Sequence, residues 1–79
     1  MKITVKLFAT LKRYLPDGAQ GSVCSLSIAA DTTVQNIIEM LAIPADIPKI
    51  ILINGLKRNS DDVLSDGDTL CVFPPIAGG

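Results

Sequence analysis

Ser65-Asp66-Gly67-Asp68-Thr69-Leu70-Cys71-Val72-Phe73-Pro74-Pro75-Ile76-Ala77-Gly78-Gly79 is the stretch from which the rest of the chain can be read. Ser65 to Asp68 has the composition of a tight turn. Thr69 to Phe73 then alternates, with Leu70 and Val72 on one face and Cys71 and Phe73 on the other. Pro74-Pro75 must end the strand, because neither residue can donate to a ladder. Beyond the strand the residues predict an extended tail, 74–79, ending in Gly78-Gly79, after a folded unit over 1–73.

The same period opens the chain. Ile3, Val5 and Leu7 share one face and Lys2, Thr4 and Lys6 the other. Phe8 falls on the polar face and breaks the pattern. From residue 9 the period changes. Leu11, Tyr14 and Leu15 stand at i, i+3 and i+4, which predicts a short helix stopped by Pro16-Asp17-Gly18. Cys24, Leu26 and Ile28 alternate with Ser25 and Ser27, so 22–29 reads as a second strand, antiparallel to the first.

The main helix begins near Asp31-Thr32-Thr33. Thr32 with Gln35 fits a capping box, and Thr33 is the alternative cap. Val34, Ile37, Ile38 and Leu41 form its apolar face, and Pro44 is expected to close it. Four such side chains contribute about 1.5–3 kcal/mol each on burial, against about 1 kcal/mol for a cap. The helix therefore exists to cover a sheet. Lys49 to Asn54 reads as a central strand buried on both sides. Asn54-Gly55 is a hairpin signal, and Leu56-Lys57-Arg58 can return as a short edge strand blunted by charge.

This element order is α+β: a mixed sheet of four to five strands with one main helix and one short helix. If the first and last strands lie side by side at the centre, the fold is a β-grasp, or ubiquitin-like, roll. Parity then puts Phe8 and Phe73 together on the uncovered face, as a partner-docking patch beside the tail. The pairs Lys12-Arg13 and Lys57-Arg58 read as solvated faces.

Composition narrows the function. At 79 residues the chain is one domain, without room for a deep catalytic cleft of its own. A hydrophobic fraction of 48% is enough for a core and too high for a disordered chain. The net charge of −1 offers nothing to steer it to nucleic acid or anionic lipid. No apolar run approaches the roughly 20 residues of a membrane span, and Met1 opens directly into strand rather than a secretory signal. A cytoplasmic location is expected. Two cysteines without a CxxC pair, and no histidine, exclude a Cys/His zinc site and the usual catalytic triads. No metal site is expected.

The tail is the place for chemistry. A carboxylate is a poor electrophile, but joined to AMP it becomes a mixed anhydride open to a thiolate or persulfide. Glycine has no Cβ to obstruct attack. Residues 74–79 extend to about 20 Å at roughly 3.3–3.6 Å each. Pro74-Pro75 stiffens the base and lowers the ordering cost on docking.

The terminal Phe73-Pro74-Pro75-Ile76-Ala77-Gly78-Gly79, with Asp66-Gly67-Asp68 before it, closely resembles the small subunit of molybdopterin synthase, in the MoaD/ThiS family of sulfur carriers. Val5-Lys6-Leu7-Phe8-Ala9-Thr10-Leu11, Thr33-Val34 and Asn54-Gly55 also fit. Pro74-Pro75 favours the molybdopterin branch over the thiamin one. The resemblance implies a cycle in which a ubiquitin-activating-type adenylyltransferase spends ATP, with magnesium, on the Gly79 carboxylate. A sulfurtransferase then supplies sulfur to give a thiocarboxylate. The large subunit of molybdopterin synthase accepts the tail and moves the sulfur to the dithiolene precursor in molybdenum cofactor biosynthesis. Gly79 carries the reacting group and Gly78 the narrow part of the channel. Phe8, Phe73, Pro74, Pro75, Ile76 and Ala77 would meet partners. The chain itself would hold no cofactor and would not be catalytic alone. A ubiquitin-like protein modifier, a sulfur carrier for a thiamin-type pathway and a β-grasp binding module with an inert tail stay open on the sequence.

Overall fold

Two strands at opposite ends of the chain form the middle of the molecule. In the computed structural model, which describes residues 1–75, β1 (Lys2–Leu7) lies parallel to β5 (Thr69–Phe73), with Val5 beside Leu70 and Leu7 beside Val72. Between them the chain forms a short 3-10 helix (Ala9–Tyr14), β2 (Val23–Ser27), α1 (Val34–Met40), β3 (Ile50–Ile53) and β4 (Leu56–Lys57). The sheet order is β2-β1-β5-β3-β4, and every pairing except β1–β5 is antiparallel. The expected β-grasp roll is therefore present, with five strands.

The core follows from strand parity. Ile3, Val5 and Leu7 of β1, Leu70 and Val72 of β5, and Ile51 and Ile53 of β3 are all buried, together with Val34, Ile37 and Ile38 of α1. Leu11 of the 3-10 helix and Leu64 are buried with them. The 3-10 helix stops where Leu15 turns extended (φ −66°, ψ 142°), as a residue before proline must.

Three local expectations are corrected. The cap is Thr33, the alternative read from the sequence, and its box partner is Asn36 rather than the expected pair Thr32 with Gln35. Thr33 Oγ1 accepts from Asn36 N (3.1 Å), and Asn36 Oδ1 accepts from Thr33 N (2.9 Å). The Thr32 hydroxyl is spent on Ala29 O (2.6 Å), and the Gln35 amide reaches along the helix to Glu39. Secondly, α1 ends before Pro44. Ala42 takes φ 61°, while Ile43 N donates to Ile38 O and Ala42 N to Glu39 O. These two bonds make a Schellman closure without glycine; burial of both Ile43 and Ile38 holds it. Thirdly, β3 is buried on one face only. It sits inside the sheet, but Ile50 is 38% exposed and Leu52 half-buried, because α1 covers one side and the described residues leave the other open.

The Asn54-Gly55 hairpin forms as read, with φ 53° and 83°; two positive φ values in succession are the mark of a type I′ turn. Asn54 also has a tertiary role. Its side-chain amide donates to Asp68 (2.9 Å) and its oxygen accepts from Thr69 N (2.9 Å), tying the hairpin to the start of β5. Asp68 in turn closes the Ser65–Asp68 turn by accepting from Ser65 N.

Candidate docking site at the base of the tail

Parallel pairing of β1 and β5 brings both strands to an end at the same edge. Phe8 N donates to Val72 O (3.2 Å), the last rung of that ladder. Phe8 and Phe73 therefore stand next to each other on the face that α1 does not cover. Their rings stack with centroids 4.7 Å apart and planes 12° from parallel, and aromatic pairs of this kind contribute about 0.5–1.5 kcal/mol beyond area burial. Both remain half-buried. Beyond Phe8 the chain turns away at Ala9, which holds φ 53°; beyond Phe73 it runs into half-buried Pro74 and exposed Pro75.

The juxtaposition expected from parity is present: Phe8 and Phe73 form one surface, with Pro74 and Pro75 leading away from it. Ile76, Ala77, Gly78 and Gly79 lie outside the described residues. Two neighbours were missed. Ile50 is in register with Phe73 and Leu52 with Cys71, so the apolar strip widens across β3. The signal was there in parity, since Ile50 and Leu52 alternate with Ile51 and Ile53. Four apolar residues in a row hid it.

Charge frames this strip without entering it. Lys6 is in register with Cys71, and Lys57 lies across from Leu52. Arg58 pairs at 4.0 Å with Asp62, and the Arg13 guanidinium lies 5.9 Å from the Tyr14 ring centroid. Cys24 is on the opposite, helix-covered face, and burial pushes its thiol above the ordinary value of 9.0. No cluster of three or more metal-ligating side chains occurs among the described residues, and none of their helices is long and apolar enough to cross a membrane. The arrangement offers an apolar surface at the point where the chain leaves β5 for Pro74 and Pro75.

Residues 1–77 match the model of the family described as Mut7-C ubiquitin. The chain belongs to the Mut7-C ubiquitin family. This membership bears out the MoaD-like, ubiquitin-like resemblance read from the sequence. No curated protein matches the chain. Among solved structures, it is similar to a candidate molybdopterin converting factor subunit 1 from Pyrococcus furiosus (25% identity, 95% of this chain and 98% of that one, TM-score 0.73). SAMP1 from Haloferax volcanii has the same fold (24% identity, 100% of both chains, TM-score 0.75). So does a chain from the complex of subunits 1 and 2 of molybdopterin-converting factor from Helicobacter pylori (20% identity, 100% of both chains, TM-score 0.64).

Proposed function

We propose that this member of the Mut7-C ubiquitin family is a sulfur carrier that acts as the small subunit of a molybdopterin synthase. The observation that carries the reading is the Phe8–Phe73 stack at the point where β5 hands over to Pro74-Pro75. An apolar platform set beside a tail ending in Gly78-Gly79 is what a protein needs to dock on another and insert its own end. The Pyrococcus furiosus and Helicobacter pylori likenesses support the molybdopterin assignment.

In this mechanism an oxygen of the Gly79 carboxylate attacks the α-phosphorus of ATP and pyrophosphate leaves. ATP and magnesium are held by a ubiquitin-activating-type adenylyltransferase. A persulfide sulfur, delivered by a sulfurtransferase, attacks the Gly79 carbonyl carbon and AMP leaves. A thiol of the donor then breaks the sulfur–sulfur bond, becoming a disulfide and freeing the thiocarboxylate. The large subunit takes the tail with Phe8, Phe73, Pro74, Pro75, Ile76 and Ala77 as contacts. Its substrate is the dithiolene precursor of molybdopterin, and the work is cytoplasmic. This chain contributes the docking surface, the reach and an unobstructed carbonyl at Gly78-Gly79.

A second reading is favoured by the likeness to SAMP1, which belongs to the small archaeal modifier proteins. The same activated Gly79 carbonyl could be taken by a lysine amine, with AMP leaving and an isopeptide forming. Intact mass of the chain isolated from cells separates the two. The carrier reading expects the gain of one sulfur in place of one oxygen. Ladders of the chain on other proteins, without that gain, would favour the modifier; neither product, with an activating enzyme and ATP supplied, would leave both readings without support.

A further inference from the structure

Asn54-Gly55 is the one Asn-Gly pair in the chain, and the Asn54 amide is held at both ends. Asn54 Nδ2 donates to Asp68 Oδ1 (2.9 Å), and Asn54 Oδ1 accepts from Thr69 N (2.9 Å). Asp68 Oδ2 accepts from Ser65 N (2.8 Å), so the whole carboxylate is spent on this junction. Asn54 N also donates to Thr69 O (2.9 Å). These bonds fasten the β3–β4 hairpin to the start of β5, one step beyond the Ile53–Leu70 pair. The hairpin is otherwise lightly held. β4 is two residues long, and Leu56 is 64% exposed; elements with so little burial open before the core does.

An Asn-Gly pair carries its own reagent. The Gly55 nitrogen can bond to Asn54 Cγ, passing its proton to water, while Nδ2 leaves as ammonia and a succinimide ring closes. Water then opens the ring at either carbonyl, leaving aspartate or isoaspartate at position 54. Overall water is consumed, ammonia is released and nothing is oxidised. Glycine has no side chain to obstruct the attack, whereas Asn36 and Asn59 are followed by Ile37 and Ser60. The folded turn forbids the reaction. Ring closure needs Asn54 Cβ and Gly55 N eclipsed about the Cα–C bond. The type I′ turn, with φ 53° and 83°, sets ψ at its first position to about +30°, which leaves the two atoms almost opposite each other.

We propose that Asn54 is a conformationally gated modification site. It deamidates only while the hairpin has let go of β5, and the clamp made by Asp68 and Thr69 sets how often that happens. The product cannot close the clamp again. The donor that faced Asp68 becomes an acceptor, so two carboxylates meet across the span of one hydrogen bond. Each opening that reacts is recorded irreversibly, at the end of a β3–β5 ladder whose other end pairs Ile50 with Phe73. The site is separate from the chemistry of the tail and does not rest on it.

The test is peptide mapping by mass spectrometry of the full chain, incubated in mildly alkaline buffer with and without unfolding urea. Conversion at Asn54 should be at least about tenfold slower in the folded chain. Asp68→Ala should speed conversion in the folded chain about two- to tenfold, the population that loss of a hydrogen bond gives the open form, and leave the rate in urea unchanged. The effect of the product is read from Asn54→Asp, which should lower the urea midpoint. Adding Asp68→Asn should restore part of that shift, because it returns a donor to the junction. Equal conversion in the folded and unfolded chains would overturn the gating. An unchanged rate in folded Asp68→Ala, or no rescue of Asn54→Asp by Asp68→Asn, would overturn the clamp; the second comparison decides the matter should Asp68→Ala not fold.

Discussion

The two faces of the sheet are made from the same strands and serve opposite ends. On the helix side Val5, Leu7 and Leu70 have no measurable exposure and Val72 has 1%. On the open side their immediate neighbours Lys6, Phe8, Cys71 and Phe73 are all half-buried. One residue of offset along a strand separates a side chain that holds the fold from one that is free to meet a partner. The described residues thus close a core on one face of the sheet and leave the other without a covering layer.

That division predicts opposite outcomes for substitutions on the two faces. Leu70→Ala on the closed face should cost about 2–5 kcal/mol of stability, read from the urea midpoint; a loss under about 1 kcal/mol would mean that the core is not where parity puts it. Phe8→Ala on the open face should cost less stability than Leu70→Ala but about 1–2 kcal/mol or more in affinity for the large subunit or the adenylating partner, the range of an interface anchor. Unchanged affinity would remove Phe8 from the docking surface. Thr33→Ala should cost about 1 kcal/mol and leave partner affinity alone, because the cap lies at the end of α1.

The smallest effect concerns the two thiols, one on each face. Iodoacetamide should label half-buried Cys71 well before buried Cys24 in the folded chain. Burial raises the Cys24 thiol above 9.0. The unfolded chain therefore gives up this proton first as pH rises, and the stabilisation present below that value is lost above it. Cys24→Ala should flatten the decline, as followed by urea unfolding on the alkaline side of 9.0; an identical decline would assign it to other groups.

Much of this was legible because strand parity carries long-range information. The out-of-phase Phe8 and the position of Phe73 in Thr69–Phe73 were enough to place the two rings together, once the first and last strands were neighbours. Ile50-Ile51-Leu52-Ile53 was not legible, because an unbroken apolar run has no phase. The end of α1 was missed because Ala42 takes a left-handed conformation that sequence assigns to glycine, and the burial of Ile43 that holds it is tertiary. Asn54 was read for its turn, but its bridge to Asp68 and Thr69 depends on the fold bringing residues 14 and 15 positions apart into contact. The proposed roles of Ile76 to Gly79 rest on sequence and family alone.

The most direct test is ATP–pyrophosphate exchange by the adenylating partner, measured with the full chain and with a chain lacking Gly79. The account predicts exchange with the first and none with the second, while both show the same urea midpoint. Equal exchange by the shortened chain would contradict it, since the activated group would then not be the carboxylate of Gly79.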